Sequence, residues 1–258
     1  MFRIYILQNP LLGGFVSYVL EKCNSHNKTL DFLQERRYSK FTMSLRIPIG
    51  VSGVAGAGKD LFFSLLSKRM GVRRFALADK LKWECAAWCN NEYDIDPLGC
   101  TREEKEKIRE FLVFHGTFKR KTSKGRHWID KLDSDIKGFL LNAQTDDVPV
   151  VTDIRYQEYK NDEVSWIQNE LNGVLVHVSQ YEIKEVTSKG EWPKKEMKKV
   201  FREPINFEEA RQDPIVMGKA DFLVKWPKIK GDNLLENEYL NQEVENFTNW
   251  YNERITRR

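Results

Sequence analysis

Apolar and polar positions along this chain switch between a period of two and a period near 3.6, and the switches mark its elements. "SLRIPIGVSG" reads as a buried strand running into a glycine-rich loop, and "LFFSLLSKRM" behind it is helical, with Gly71 at its stop. "RRFALAD" predicts a short strand ending at Asp79, followed by a helix in "KLKWECAAWC". "TREEKEKIREFLVFHG" opens with Thr101 and Glu104 in capping-box register, which predicts a second helix. A basic, glycine-containing turn, "GTFKRKTSKGR", separates it from the helix "HWIDKLDSDIKGFLLNA", whose Trp128, Ile129, Leu132, Ile136, Phe139 and Leu140 share one face. "VPVVTD" has almost no polar face, as befits a central parallel strand. A helix around Val164, Ile167 and Leu171 leads to the strand "VLVHVS". A polar, charged stretch from Tyr181 to Gly218 then leads to a fifth strand, "DFLVKW". Leu240, Val244, Phe247 and Tyr251 mark a closing helix.

Strands alternating with helices predict a three-layer α/β fold, a five-stranded parallel sheet with helices on both faces. Right-handed crossovers place every strand's C-terminal end at one edge, where ligands bind. No clear period or cap links the segment before Met43 to the rest. Residues 1–42 are therefore expected to be an extension (an added helix, a flexible arm or the product of a start site at Met43) and residues 43–258 the working domain. In 258 residues, 41% hydrophobic content fills one large core. A net charge of +4 is too mild to argue for nucleic acid by itself. Cys23, Cys85, Cys89 and Cys100 are too few and too irregular for a disulfide scaffold, and with His115 or His127 they fit no standard zinc spacing. Buried thiols in a reducing compartment are expected. The longest apolar stretch, "IYILQNPLLGGFVSYVL", is broken by Gln8, Asn9, Pro10 and two glycines, so it reads as neither a membrane span nor a signal peptide. A soluble, cytoplasmic protein is the expectation.

The chemistry concentrates in "GVAGAGKD", which sets Gly53, Val54, Ala55, Gly56, Ala57, Gly58, Lys59 and Asp60 between a predicted strand and a predicted helix. Such a loop cradles phosphates: its backbone N–H groups point into a concavity, glycines permit the dihedrals, and the helix dipole faces the anion. Lys59 would reach the terminal phosphates of a nucleoside triphosphate. Asp60 stands where a magnesium-binding hydroxyl is usual, and Leu61 supplies no replacement. A carboxylate is itself a hard oxygen ligand, and at a helix start it also complements the dipole.

"GVAGAGKD", "FALADKLK", "LVFHGTFKR" followed by "HWIDKL", "VVTDIRYQEY" and "VLVHVS", in that order over about residues 46 to 226, resemble the deoxynucleoside monophosphate kinases of bacteriophages. In that family Asp after Gly-Lys is a familiar form of the loop. The resemblance implies a P-loop kinase fold with a lid segment, ATP as phosphoryl donor, Mg2+, and a dNMP acceptor in the host cytoplasm. It makes Asp60 and Asp153 the metal-side acids, Asp153 being otherwise a cap for the following turn. Arg155 resembles the acceptor-site arginine, with Arg120 also gripping the acceptor phosphate. Asp79 and Lys82 either open the substrate pocket or are helix-start charge and a solvated lysine. The basic stretch containing Lys184, Lys189, Lys194, Lys195, Lys198, Lys199 and Arg202 stands at the lid, with Arg202 as its phosphate contact. His115 and His127 read as structural, and Trp83 and Trp88 as core. Leu61 and the length of the lysine-rich stretch depart from the family pattern. Two alternatives stay open. One is a P-loop kinase for another small acceptor such as dephospho-coenzyme A, with Asp79 as base. The other is a nucleotide- or nucleic-acid-binding module without transfer; the lysines lack the aromatic interleaving that nucleic acid favours. The sequence also leaves a homodimer open.

Overall fold

The computed structural model describes residues 2–8, 16–22, 46–142, 145–187, 195–229, 231 and 233–256. The chain divides into two units, Met1–Ser44 and Leu45–Arg258. In the first, β1 (Phe2–Gln8) and β2 (Val16–Lys22) pair antiparallel, from Phe2 opposite Lys22 to Gln8 opposite Val16. The hydrophobic pattern predicts neither strand.

The second unit holds β3 (Ile49–Ser52), β4 (Val72–Phe75), β5 (Val148–Ile154), β6 (Val174–Thr187), β7 (Lys195–Phe201) and β8 (Phe222–Pro227) in one sheet of six strands. Five are parallel, in the spatial order β4, β5, β3, β6, β8. The expected five-stranded parallel sheet is therefore a mixed sheet of six: β7, from the lysine-rich stretch, runs antiparallel to β6. Tyr181 of β6 pairs with Phe201 of β7 and with Pro227 of β8, so these two strands take opposite edges of β6. β7 thus occupies the edge along which β3 lies as far as Ser52. The long β6 cannot leave that edge unpaired, and the returning chain supplies its partner.

The helices are α1 (Lys59–Ser67), α2 (Leu77–Tyr93), α3 (Arg102–Thr122), α4 (Arg126–Leu141), α5 (Glu163–Ser165, continued as a π-helical turn over Trp166–Glu170), α6 (Phe207–Met217) and α7 (Glu238–Thr256). Alternation along the strands feeds two cores. Val148 and Val150 of β5 join Phe62, Leu65 and Leu66 of α1 and Leu240, Val244 and Phe247 of α7. Val151, Ile154 and Leu175 join Trp128, Ile129 and Leu132 of α4, Trp166 and Val216 of α6. A third cluster, Cys85, Cys89, Ile95, Ile108 and Leu112, binds α2 to α3. Cys85 and Cys89 are buried free thiols as expected, Cys100 is half-buried, and Cys23 lies outside the described residues.

Some boundaries move. The strand expected to reach Asp79 ends at Phe75, because the Asp153 carboxylate accepts from Leu77 N and Ala78 N and starts α2 there. The basic "turn" is helical as far as Thr122. The helix passes through Gly116 and ends only before Lys124 and Gly125, both at positive φ, and Lys119, Arg120 and Lys121 suit a helix C-terminus. Trp83 is 74% exposed rather than core, and Trp88 stacks on Phe111 at the surface. Among the described residues no helix is long and apolar enough to cross a membrane.

Candidate functional site

At the C-terminal edge of the sheet, the loop from Gly53 to Gly58 joins β3 to α1. Gly53, Gly56 and Gly58 all have positive φ, which L side chains rarely adopt. Gly53 is also fixed by space, since a Cβ there would lie 2.2 Å from the Val178 carbonyl. Gly58 caps α1 without a side chain, which leaves helix-start amides facing the loop's concavity. From beneath, Trp226 Nε1 donates to Ala57 O at 3.0 Å and its ring packs on Gly58. Lys59 Nζ donates to Gly53 O (2.6 Å) and Val54 O (3.0 Å). Burial, and then the neighbouring Arg155 guanidinium, lower its pKa. Asp60 is exposed in the first turn of α1, and Leu61 packs against the core, which accounts for its apolar character.

On β5 the ladder with β3 takes one extra residue between Val151 and Ile154, opposite Gly50 to Ser52. Bulges of this kind re-aim a side chain, and here it is Asp153. Burial raises the Asp153 pKa against the two α2 amides that it accepts. Arg155, two residues on, is exposed, and its guanidinium has no hydrogen-bond or ion-pair partner among the described residues. Its backbone is fixed: Arg155 N and Tyr156 N both donate to Glu163 Oε2, at 2.6 and 3.1 Å. Burial, with Asp162 beside it, pushes Glu163 up to about 8.

A cleft of about 300 Å³ opens beside Asp153 and Arg155, between α2 and α3. Leu81, Leu112 and Trp128 give it an apolar wall, and Lys82, Lys105 and Arg120 give it cations. Arg120 is nearly buried. Its Nη1 donates to Glu158 (2.8 Å) and its Nη2 to Asp162 (2.5 Å), under the Tyr156 ring at 3.8 Å. Its fork is thus committed to carboxylates, which leaves Arg155 as the open guanidinium at this edge. Asp79 turns to Arg74 (2.7 Å), with Lys82 at 3.8 Å, and does not line the cleft. His115 and His127 each place Nε2 2.8 Å from the Glu84 carboxylate, joined by Lys131 at 2.9 Å. They tie α2, α3 and α4 together, and with Lys131 they hold Glu84 down at about 2 against its burial.

The structure adds residues that the sequence pattern does not mark. Beneath the loop, His177 Nδ1 lies 3.1 Å from Ser52 Oγ and Nε2 lies 3.9 Å from Asp213 Oδ1. Burial, with Lys59 and Lys225 facing it, lowers His177 to about 4, while burial and Glu209 raise Asp213 to about 6. Above the loop, Arg202, the residue expected from the lid stretch, donates through Nε to Ala55 O at 2.7 Å. Glu209 of α6 accepts from Ala55 N, also at 2.7 Å. One local signal marks α6: Asn206 and Glu209 have N-cap spacing, and Asn206 Oδ1 accepts from Glu209 N. The predicted residues brought to one edge are therefore the loop, Lys59, Asp60, Asp153, Arg155 and Arg202, with Lys82 and Arg120 in the adjoining cleft.

Of the four lysines described in β6 and β7, three are charge-matched: Lys184 pairs with Glu182, Lys195 with Glu185 and Lys198 with Glu196, while Lys199 lies over the Tyr181 ring. Lys189 and Lys194 lie outside the described residues. No protein-family model matches this chain, and no curated protein matches it.

Proposed function

We propose that the protein is a P-loop kinase that transfers the terminal phosphoryl group of ATP to a deoxynucleoside monophosphate, giving ADP and a deoxynucleoside diphosphate. The observation that carries this reading is the pairing of Lys59, inside a glycine loop at the end of β3, with Arg155 at the end of neighbouring β5, whose guanidinium has no hydrogen-bond or ion-pair partner among the described residues. The two cations lie close enough for Arg155 to depress the lysine's pKa, a repulsion that bound anions would relieve. Donor phosphates would rest on the loop amides and Lys59, and the acceptor monophosphate on the planar fork of Arg155. The attacking atom is a phosphate oxygen that is already anionic, so no general base is required, and catalysis reduces to alignment and charge stabilisation. Arg202, held over the loop by the hairpin, would add positive charge above the transferring group.

The donor set suits Mg2+. Asp60 offers an exposed carboxylate at the loop, and Asp153 keeps lone pairs beyond the two amides it accepts. One or two carboxylates with substrate phosphates is a common magnesium environment, and the ion would neutralise charge between donor and acceptor. The preference for deoxynucleotides rests on the family resemblance. The carboxylate partners of Lys184, Lys195 and Lys198 weigh against a nucleic-acid-binding module, which needs unpaired cations along its face. ADP release should be assayed with ATP and a panel of dNMPs, NMPs and hydroxyl acceptors. Turnover confined to monophosphates supports the proposal; turnover confined to hydroxyl acceptors, or none with any, overturns it.

A further inference from the structure

An amide of the glycine loop already has an anion on it. Glu209 Oε1 accepts from Ala55 N at 2.7 Å, while Oε2 accepts from Ile205 N at 2.9 Å. The carboxylate is thus locked to the start of α6 and presented to the loop by a fixed side chain. On the other side of the same residue, Arg202 Nε holds Ala55 O. The Arg202 guanidinium lies so close that a Cβ on Gly56 would come within 2.6 Å of Cζ. Ala55 is therefore gripped at both its N–H and its carbonyl by residues only seven apart in sequence. Lys59 is turned onto the loop's own carbonyls in this arrangement. A second cleft, distinct from the one between α2 and α3, is lined by Gly53 of the loop, by Arg155 and by Glu208, Glu209 and Asp213 of α6. A carboxylate seated on an amide of a glycine loop, facing its lysine, occupies the electrostatic place of a phosphate.

We propose that α6 is an internal competitor for the phosphate loop: the Glu209 carboxylate must withdraw from the Ala55 amide before donor phosphates are held. The inference rests on the reading of the loop as a nucleotide site. Because Glu209 and Arg202 flank one residue, their withdrawal is coupled, and nucleotide entry frees Arg202 to turn from the Ala55 carbonyl to the phosphates. A state that must open before it binds lowers apparent affinity by the fraction that is open. A plugged arrangement favoured about ten to one costs about tenfold.

The test is ATP titration calorimetry on the full chain, with melting curves, for wild type, Glu209→Gln, Glu209→Ala and Lys59→Ala. Hydrogen exchange of residues 205–213 in wild type with and without saturating ATP accompanies it. Both Glu209 variants are expected to bind ATP about tenfold more tightly, and ATP is expected to speed exchange at the start of α6. Unchanged or weaker binding by a folded Glu209→Gln, with Lys59→Ala still abolishing binding, overturns the plug and leaves the loop assignment standing. Exchange at the start of α6 that stays constant or slows in the ATP complex also overturns it. Failure of wild type and both Glu209 variants to bind ATP at all removes the loop assignment and this inference together. If Glu209→Ala does not fold, Glu209→Gln and the exchange measurement decide.

Discussion

Arg155 illustrates how a residue's meaning depends on what its neighbours have already taken. Arg120 looks at least as suitable for a phosphate in the sequence, yet Glu158 and Asp162 hold its fork and Arg155 has no such partner. Arg155→Ala should therefore raise the KM for dNMP and lower kcat/KM by about tenfold to a hundredfold, the worth of a charged hydrogen-bonded contact. ATP affinity, measured by titration on the same preparation, should change little; the opposite split would put Arg155 on the donor side. His177 gives a pH signature. Its folded pKa of about 4 lies below the ordinary 6.5, so between those values the unfolded chain binds more protons. Its contribution is fully present above pH 6.5 and is lost as pH falls toward 4. Glu163 and Asp213, whose pKa values the fold raises, work in the opposite direction, so the comparison must be with a variant. Relative to His177→Gln, wild type should lose roughly 2 kcal/mol of unfolding free energy between pH 7.5 and 4.5 in urea titrations. Parallel curves would show that His177 is not the group responsible.

At the scale of elements, the local signals were legible and the long-range ones were not. The capping box at Thr101 is present as the spacing predicts, with Glu104 N donating to Thr101 Oγ1 (3.3 Å) and Thr101 N donating to Glu104 (2.8 Å). Thr101→Ala should lower stability by about 1 kcal/mol in chemical denaturation. No change would mean that α3 starts independently of its cap. The loop was legible because three glycines and a lysine at fixed spacing carry their own dihedral and charge requirements. The start of α2 was not, because its cap comes from Asp153, across the sheet. β7 was not either: its residues Lys195–Phe201 carry mostly exposed side chains, and pairing with β6 supplies the strand geometry that their pattern does not announce. Glu209 reaches Ala55 over 154 positions, a contact that no window of sequence contains.

At the scale of the molecule, the domain that carries the site is closed at its N-terminal side by Arg46. Its guanidinium donates to Thr145 O (2.7 Å) and to the Leu140 and Phe139 carbonyls at the end of α4. Tyr251 Oη adds a bond to Ile47 O at 2.6 Å. These contacts lie just inside the boundary between Ser44 and Leu45. A chain beginning at Met43 should therefore fold, melt within a few degrees of the full chain and retain its activity. A chain beginning after Ile47 should lose stability markedly, and scanning calorimetry with the kinase assay distinguishes the two. Aggregation or inactivity of the Met43 form would show that residues 1–42 are needed by the domain.

β6 is fourteen residues long and serves two neighbourhoods: Val174 to His177 lie beside β3, and Tyr181 to Thr187 carry β7. An arm that is the uninterrupted continuation of a sheet strand has no loop at its root in which to turn. Its movement must be shared as twist along a two-stranded ribbon, the most readily twisted form of β-structure. The arm is built as a leaf spring rooted beside the glycine loop, with Arg202 bonded to Gln180 O and Ala55 O where the ribbon leaves the sheet. Any deflection of the ribbon would reach Ala55 through Arg202 as a rotation, and the length of β6 would set both the reach of the arm and the size of that rotation.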